Sequence, residues 1–128
     1  MEDQVAILVV EDDQEIQSIV EDALSDGGFE PAIASSGEEA LTLLWGNRGR
    51  YWALVADIGL RGRMSGWELA TRAREIDPKF PVLYMTGAYA HQWALRGVPN
   101  SILLTKPFAP PQLVTAVSQL LNNRKALG

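Results

Sequence analysis

Five times along this chain a short apolar run gives way to a segment whose apolar residues recur at helical spacing. The first run, Val5-Ala6-Ile7-Leu8-Val9-Val10, is almost wholly apolar and rich in β-branched residues, the pattern of a strand covered on both faces. Ile16, Ile19, Val20, Ala23 and Leu24 then follow a helical period until Gly27-Gly28 closes the segment. A second strand is predicted from Phe29 to Ala34. Ser36 with Glu39 has the spacing of a capping box and opens a helix through Ala40, Leu41 and Leu44.

The third strand is predicted over residues 52–56, running out into Asp57. Ser65 with Glu68 repeats the capping-box spacing ahead of an apolar stripe of Leu69, Ala73 and Ile76. Pro81 introduces a fourth strand over 82–85, and a helix is placed at about 88–95. The fifth strand covers 102–104. Pro110-Pro111 suits the first turn of a last helix that carries Leu113, Val114, Val117, Leu120 and Leu121 on one face. A β-α unit repeated five times implies a parallel sheet with helices on both faces. The lengths fit a flavodoxin-like, doubly wound α/β fold with strand order 2-1-3-4-5. No repeat, low-complexity tract or interior linker interrupts residues 1–128, which read as a single domain with a core of about 5–123.

Composition removes several kinds of chemistry. The chain has no cysteine, so disulfides and thiolate metal sites are excluded, and its single histidine, His91, argues against a histidine-built zinc site or a Ser/His/Asp triad. A net charge of −5 argues against direct nucleic-acid binding, because a phosphate backbone repels an acidic surface. The apolar runs are too short to span a bilayer, and the acidic, polar start MEDQ does not fit a secretory signal. A cytoplasmic protein that does not enter a membrane is the expectation.

In doubly wound sheets ligands bind beyond the carboxyl ends of the strands, near the switch point between the first and third. Strand one here runs into Glu11-Asp12-Asp13, strand three into Asp57, strand four into Thr86-Gly87, and strand five into Thr105-Lys106-Pro107. Acids so gathered repel one another unless a cation neutralises them, and a hard divalent ion with oxygen ligands, such as Mg2+, meets that need. A carboxylate in such a pocket can act as the nucleophile toward a phosphoryl group, with Lys106 and the Thr86 hydroxyl holding the transferring oxygens. Singly, each residue has an ordinary explanation: Asp13 as a helix N-cap, Asp57 as a turn residue, Thr86 and Lys106 as loop residues. Their arrival together at the same end of four strands carries the functional reading.

Four segments in this order, ILVVEDD at 7–13, LVADIGL at 54–60, VLYMTGA at 82–88 and LLTKPF at 103–108, resemble the receiver domains of two-component response regulators over essentially the whole chain. The stretch is similar to the chemotaxis-regulator-like single-domain receivers. The resemblance implies that Asp57 is the phospho-acceptor, that Asp12 ligates Mg2+ directly and Glu11 through water, and that the backbone carbonyl of Gly59 is a further ligand. It implies that Thr86 swings onto the phosphoryl group, that Lys106 pairs with it, and that Pro107 follows a cis peptide bond. A sensor histidine kinase or histidine phosphotransfer domain would supply the phosphoryl group. A downstream protein would read the face of helix four, strand five and helix five, and a homodimer is a further partner of that kind. The chain would catalyse only its own phosphorylation and dephosphorylation.

Two departures qualify the resemblance. Leu103 stands where such domains commonly carry the aromatic residue whose ring turns inward, and Arg61 where the loop after the acceptor usually has proline. Arg61 and Arg63 read either as charge near the phosphate or as solvated loop residues. The resemblance implies that Gly59 and Ala88 stand at positions that tune dephosphorylation in such domains, where two small residues would leave an acyl phosphate open to water. Trp45, Trp52 and Trp67 are assigned to core or helix packing, Trp93 to packing or an exposed partner contact, and His91 to an exposed helix position. Two other functions are weighed. One is a receiver-like interaction module that works without phosphorylation, which the intact Glu11, Asp12, Asp57, Thr86 and Lys106 set opposes and Leu103 keeps open. The other is an aspartyl-phosphate phosphatase, which needs a second acid where Gly59 stands.

Overall fold

The computed structural model describes residues 4–47 and 49–127. Its elements are β1 (Val5–Val10), α1 (Gln14–Asp26), β2 (Phe29–Ala34), α2 (Gly37–Gly46), β3 (Ala53–Asp57), α3 (Gly66–Ile76), β4 (Val82–Thr86), a 3-10 turn (Ala90–Gln92) leading into α4 (Trp93–Arg96), β5 (Ile102–Thr105) and α5 (Pro110–Leu127). The strands form one parallel sheet in the order β2-β1-β3-β4-β5, the flavodoxin-like arrangement the sequence predicts.

Strand side chains alternate between two cores, which is why the central strands read as unbroken apolar runs. Leu8, Val10, Leu54, Ala56, Val82 and Tyr84 face α2 and α3, meeting Leu44, Trp67, Leu69 and Ala73. Ile7, Val9, Ala53, Val55, Leu83 and Met85 face α1 and α5, meeting Val20, Leu24, Leu113 and Val117. Each fully buried Leu, Ile or Val of this kind stabilises the fold by roughly 1.5–3 kcal/mol relative to exposure.

The helix starts follow their caps. Asp13 accepts hydrogen bonds from the Glu15 and Ile16 N–H groups at 2.9 and 3.3 Å, so the N-cap role is the one it fills. Ser36 and Ser65 accept from the N–H groups of Glu39 and Glu68 at 3.1 and 3.2 Å. The Glu39 carboxylate reaches back to the Ser35 N–H, one residue before the cap. At the end of α1, Gly28 holds a φ of +91°, a conformation that favours glycine.

Several expectations need correction. Asp57, Thr86 and Thr105 are themselves the last residues of their strands, and β3 begins at Ala53 instead of Trp52. The helix expected over 88–95 shrinks to the 3-10 turn and the four residues of α4, neither of which buries a residue. Without an apolar stripe there is little to hold a longer helix against the sheet, and Pro99 lies just beyond it. Trp67 is buried as expected, but Trp45 and Trp52 are 52% and 56% exposed, because α2 turns its Ala40 and Leu44 face inward and Trp52 precedes the sheet's covered stretch. Trp93 is 37% exposed and its indole N–H donates to the Ser101 hydroxyl at 3.0 Å. His91 is exposed. Among the described residues no helix is long and apolar enough to cross a membrane.

Two expected outcomes follow from this packing. A Cβ added at Gly66 would stand 2.4 Å from the Asp57 carbonyl oxygen and 3.0 Å from the Ile58 Cα, backbone atoms that cannot turn aside. Gly66→Ala is therefore expected to cost ~3 kcal/mol in denaturant unfolding, the upper range for overpacking a well-filled site. At the other end of α3, Asp77 accepts from the Lys79 N–H and from Arg124 on α5. Burial works to raise the Asp77 carboxyl, but these two donors outweigh it and hold the group below its usual range. A carboxylate depressed on folding adds stability above its unfolded pKa and loses it as pH falls through the folded value. Asp77→Asn is expected to lower stability at pH 7 by only about 0.5–1 kcal/mol, since the pair is over a third exposed. Thermal melts across pH should show that deficit disappearing once the native chain passes below its depressed Asp77 pKa.

Candidate phosphoryl-acceptor site

Register brings the acids together. Val10 pairs with Ala56 across β1 and β3, so the next residues, Glu11 and Asp57, leave the sheet side by side. Asp57 pairs with Met85 and Thr86 with Thr105, which puts the ends of β4 and β5 beside them. The Lys106 N–H donates to the Thr86 carbonyl at 3.0 Å and directs the lysine side chain back over the strand ends. The Lys106–Pro107 peptide bond is cis, as expected from the resemblance.

The Lys106 ammonium lies 2.9 Å from Glu11 Oε1 and 3.1 Å from Asp57 Oδ1, bridging two carboxylates that are almost wholly withdrawn from water. Burial pushes the Glu11 carboxyl above its usual range; the Lys106 hydrogen bond pulls against this, and the negative charge of Asp57 adds to it. Burial likewise works against charge on Lys106, but its bond to Glu11 and the charge of Asp57 outweigh it and hold the ammonium above its ordinary value. Among the described residues, no buried side-chain polar atom lacks a hydrogen-bond partner.

Glu11, Asp12 and Asp57 each offer an oxygen within 4.8 Å of the others, as the sequence reading expects. Three acids against one lysine leave an excess of negative charge, and an all-oxygen donor set suits a hard divalent cation such as Mg2+. On both counts the residues fit that ion. Gly59 lies two residues beyond Asp57 on the exposed β3–α3 loop, where its carbonyl is the fourth expected ligand. A groove of about 740 Å3 at the opposite end of the strands, lined by Val5, Tyr51, Trp52, Phe80 and Leu121, has no comparable group of acids; its Asp77 is paired with Arg124.

The sequence reading missed four contacts. Arg61 is not simply solvated: its N–H donates to Asp12 Oδ2 at 2.8 Å, and its guanidinium, though 90% exposed, lies 3.7 Å from the same oxygen. Arg63 is exposed. The side-chain amide of Gln17 donates to the Glu11 carbonyl, tying α1 to the acidic turn. The Thr86 hydroxyl, buried at the end of β4, accepts from the Tyr89 N–H at 3.0 Å. The Tyr89 ring in turn lies beside Gly59. Backbone donors and loop contacts of this kind leave no periodic signal in a sequence. The remaining departure, Leu103, is partly buried against the core beside Tyr84, its partner in the β4–β5 register.

Residues 7–118 match the family model of the response regulator receiver domain. The chain is similar to a response regulator receiver protein from Sinorhizobium medicae, at 43% identity and a TM-score of 0.91 over 95% of this chain and 98% of that one. It is also similar to the chemotaxis protein CheY4 of Vibrio cholerae, at 25% identity and a TM-score of 0.82 over 92% of this chain and 99% of that one. Among curated relatives, an uncharacterized 14.6 kDa protein of Leptolyngbya boryana is 38% identical over 91% of this chain and 89% of its own length. The response regulator MprA of a Mycobacterium species is 31% identical over 91% of this chain. The chain spans 50% of that relative's length and 56% of another, so it covers about half of several curated relatives. With the five-stranded order, the acids at the strand ends and a family match across nearly the whole length, this chain belongs to the response regulator receiver domains of two-component systems.

Proposed function

We propose that the chain is a phosphorylation switch in which Asp57 accepts a phosphoryl group from a phosphohistidine donor. The observation that carries this reading is the Lys106 ammonium held between Glu11 and Asp57 at the carboxyl ends of β1 and β3. An oxygen of the Asp57 carboxylate attacks phosphorus, the bond from phosphorus to the donor nitrogen breaks, and the imidazole keeps that electron pair. Lys106, held on Asp57 and Glu11, would pair with the incoming negative oxygens, and the Thr86 hydroxyl at the end of β4 would donate to one of them. Asp12 and Asp57, with Glu11 and the backbone carbonyl of Gly59, would hold Mg2+. That ion supplies neutralising charge for phosphoryl transfer when bound.

The product adds about two negative charges at neutral pH beside Lys106. That charge draws on Thr86, whose hydroxyl already holds the Tyr89 N–H, and so reaches the turn leading into α4. We read the face of α4, β5 and α5 as the surface whose affinity for a downstream protein or a second copy then changes. The donor on this reading is a sensor histidine kinase or histidine phosphotransfer domain. The chain modifies only itself, and its setting is the cytoplasm.

Intact-protein mass after incubation with phosphoramidate tests the chemistry. The native chain should gain one phosphoryl group only with Mg2+ present, Asp57→Ala none, and Lys106→Met should gain it at least about tenfold more slowly, ~1.4 kcal/mol of barrier. No gain in a folded native chain that binds Mg2+ would favour an interaction module that works unmodified. Lys106→Met also strands two buried carboxylates without their cation. It is expected to lose about 3 kcal/mol of stability at neutral pH. That deficit should shrink as pH falls, because the Glu11 carboxyl, already raised by burial, takes up a proton and needs no partner.

A further inference from the structure

Residue 59 lies two positions beyond Asp57 on the β3–α3 loop, and as a glycine it supplies no side chain there. A Cβ at Gly59 would stand 3.5 Å from Cε2 of Tyr89, ordinary contact distance, so the ring of a residue from the β4–α4 turn borders the place where a side chain from the β3–α3 loop would begin. Gly87 and Ala88, its neighbours in the turn, are small and exposed, so neither fills this space. Tyr89 itself is 41% exposed, and its Cε2 edge is the part against Gly59. Its backbone is pinned from within the site, the N–H donating to the buried Thr86 hydroxyl at 3.0 Å.

We propose that the Tyr89 ring is the cover over the Asp57 phosphoryl group and sets how fast that group is lost to water. The inference rests on the reading of Asp57 as the acceptor. Loss is a hydrolysis: a water oxygen bonds to phosphorus, the bond from phosphorus to the Asp57 carboxylate oxygen breaks, and the carboxylate keeps the electron pair. Both water protons leave with the phosphate, one passing on to solvent at neutral pH. The attack needs a water in line with the breaking bond. A flat, apolar ring edge at the mouth of the site offers that water no hydrogen bond and occupies part of its approach. Tyr89 is thus a positioning residue that acts by exclusion. It does so through its ring, with the phenol oxygen uninvolved, and it reverses the expectation that small residues at 59 and 88 leave the acyl phosphate open.

The test is the decay of the phosphorylated chain, freed of phosphoramidate by desalting and followed by intact mass in Mg2+ and again in excess chelator. Tyr89→Ala is expected to lose its phosphoryl group about tenfold faster than the native chain, ~1.4 kcal/mol of barrier. Tyr89→Phe should decay at the native rate, because the ring is kept. Tyr89→Leu, which retains an apolar side chain in case the alanine variant fails to fold, should fall between them. Native-rate decay in folded Tyr89→Ala or Tyr89→Leu would overturn the proposal, as would a Tyr89→Phe chain that decays as fast as Tyr89→Ala. A native chain that takes no phosphoryl group at all sinks the acceptor reading and this inference with it, an outcome visible before any decay is measured.

Discussion

The arrangement at the strand ends depends on one cation placed between two carboxylates. Glu11 and Asp57 leave adjacent parallel strands at the same level and are nearly removed from water, a placement whose repulsion and desolvation would normally be prohibitive. Lys106 resolves it by reaching across from β5 to bond both at about 3 Å. The bridge offsets only part of the negative charge, because Asp12 joins the same group. That surplus is of the kind a hard divalent ion would offset, and the proposed phosphoryl chemistry builds on it.

The rest of the fold serves to hold these four side chains in register. Parallel pairing fixes Asp57 opposite Met85 and Thr86 opposite Thr105, so a slip of one residue in β3 would turn Asp57 away from its partners. The β3–α3 loop is held on both sides: the Arg61 N–H is bonded to Asp12, and Gly66 sits so close to the Asp57 carbonyl that only a glycine fits. From the other flank Thr86 joins the acceptor pocket to the turn before α4 through the Tyr89 N–H. α4 itself buries nothing, and local openings concentrate in such weakly packed segments. On the proposed reading, a phosphoryl group on Asp57 would have a short path to this weakly packed segment, even though Leu103 stands where an inward-turning ring would be expected.

How much of this was legible in the sequence depends on what kind of force sets each feature. β1, β3 and β4 were readable because burial on both faces leaves continuous apolar runs, and the helix starts because a serine or aspartate cap is a local device. The acidic cluster followed once the strands were ordered, since topology alone puts Glu11, Asp57 and Lys106 at one end. The length of α4 was not readable, because its apolar Trp93 and Leu95 have no core to face; they lie 37% and 92% exposed. Trp45 and Trp52 were misassigned for the same reason: hydrophobicity marks what can be buried, and only the geometry of α2 and the β3 edge decides what is. The Arg61 and Tyr89 contacts are made by backbone N–H groups in loops, which every residue but proline carries.

The most direct measurement of the central claim is to find which atom carries the phosphoryl group. Borohydride reduces an acyl phosphate to an alcohol, so treating the phosphorylated chain and sequencing its peptides by mass converts the acceptor aspartate into homoserine. The account predicts homoserine at position 57, with Glu11, Asp12 and Asp13 unchanged. Reduction at any of those other acids, or an intact Asp57 in a chain that demonstrably carries phosphate, would contradict it.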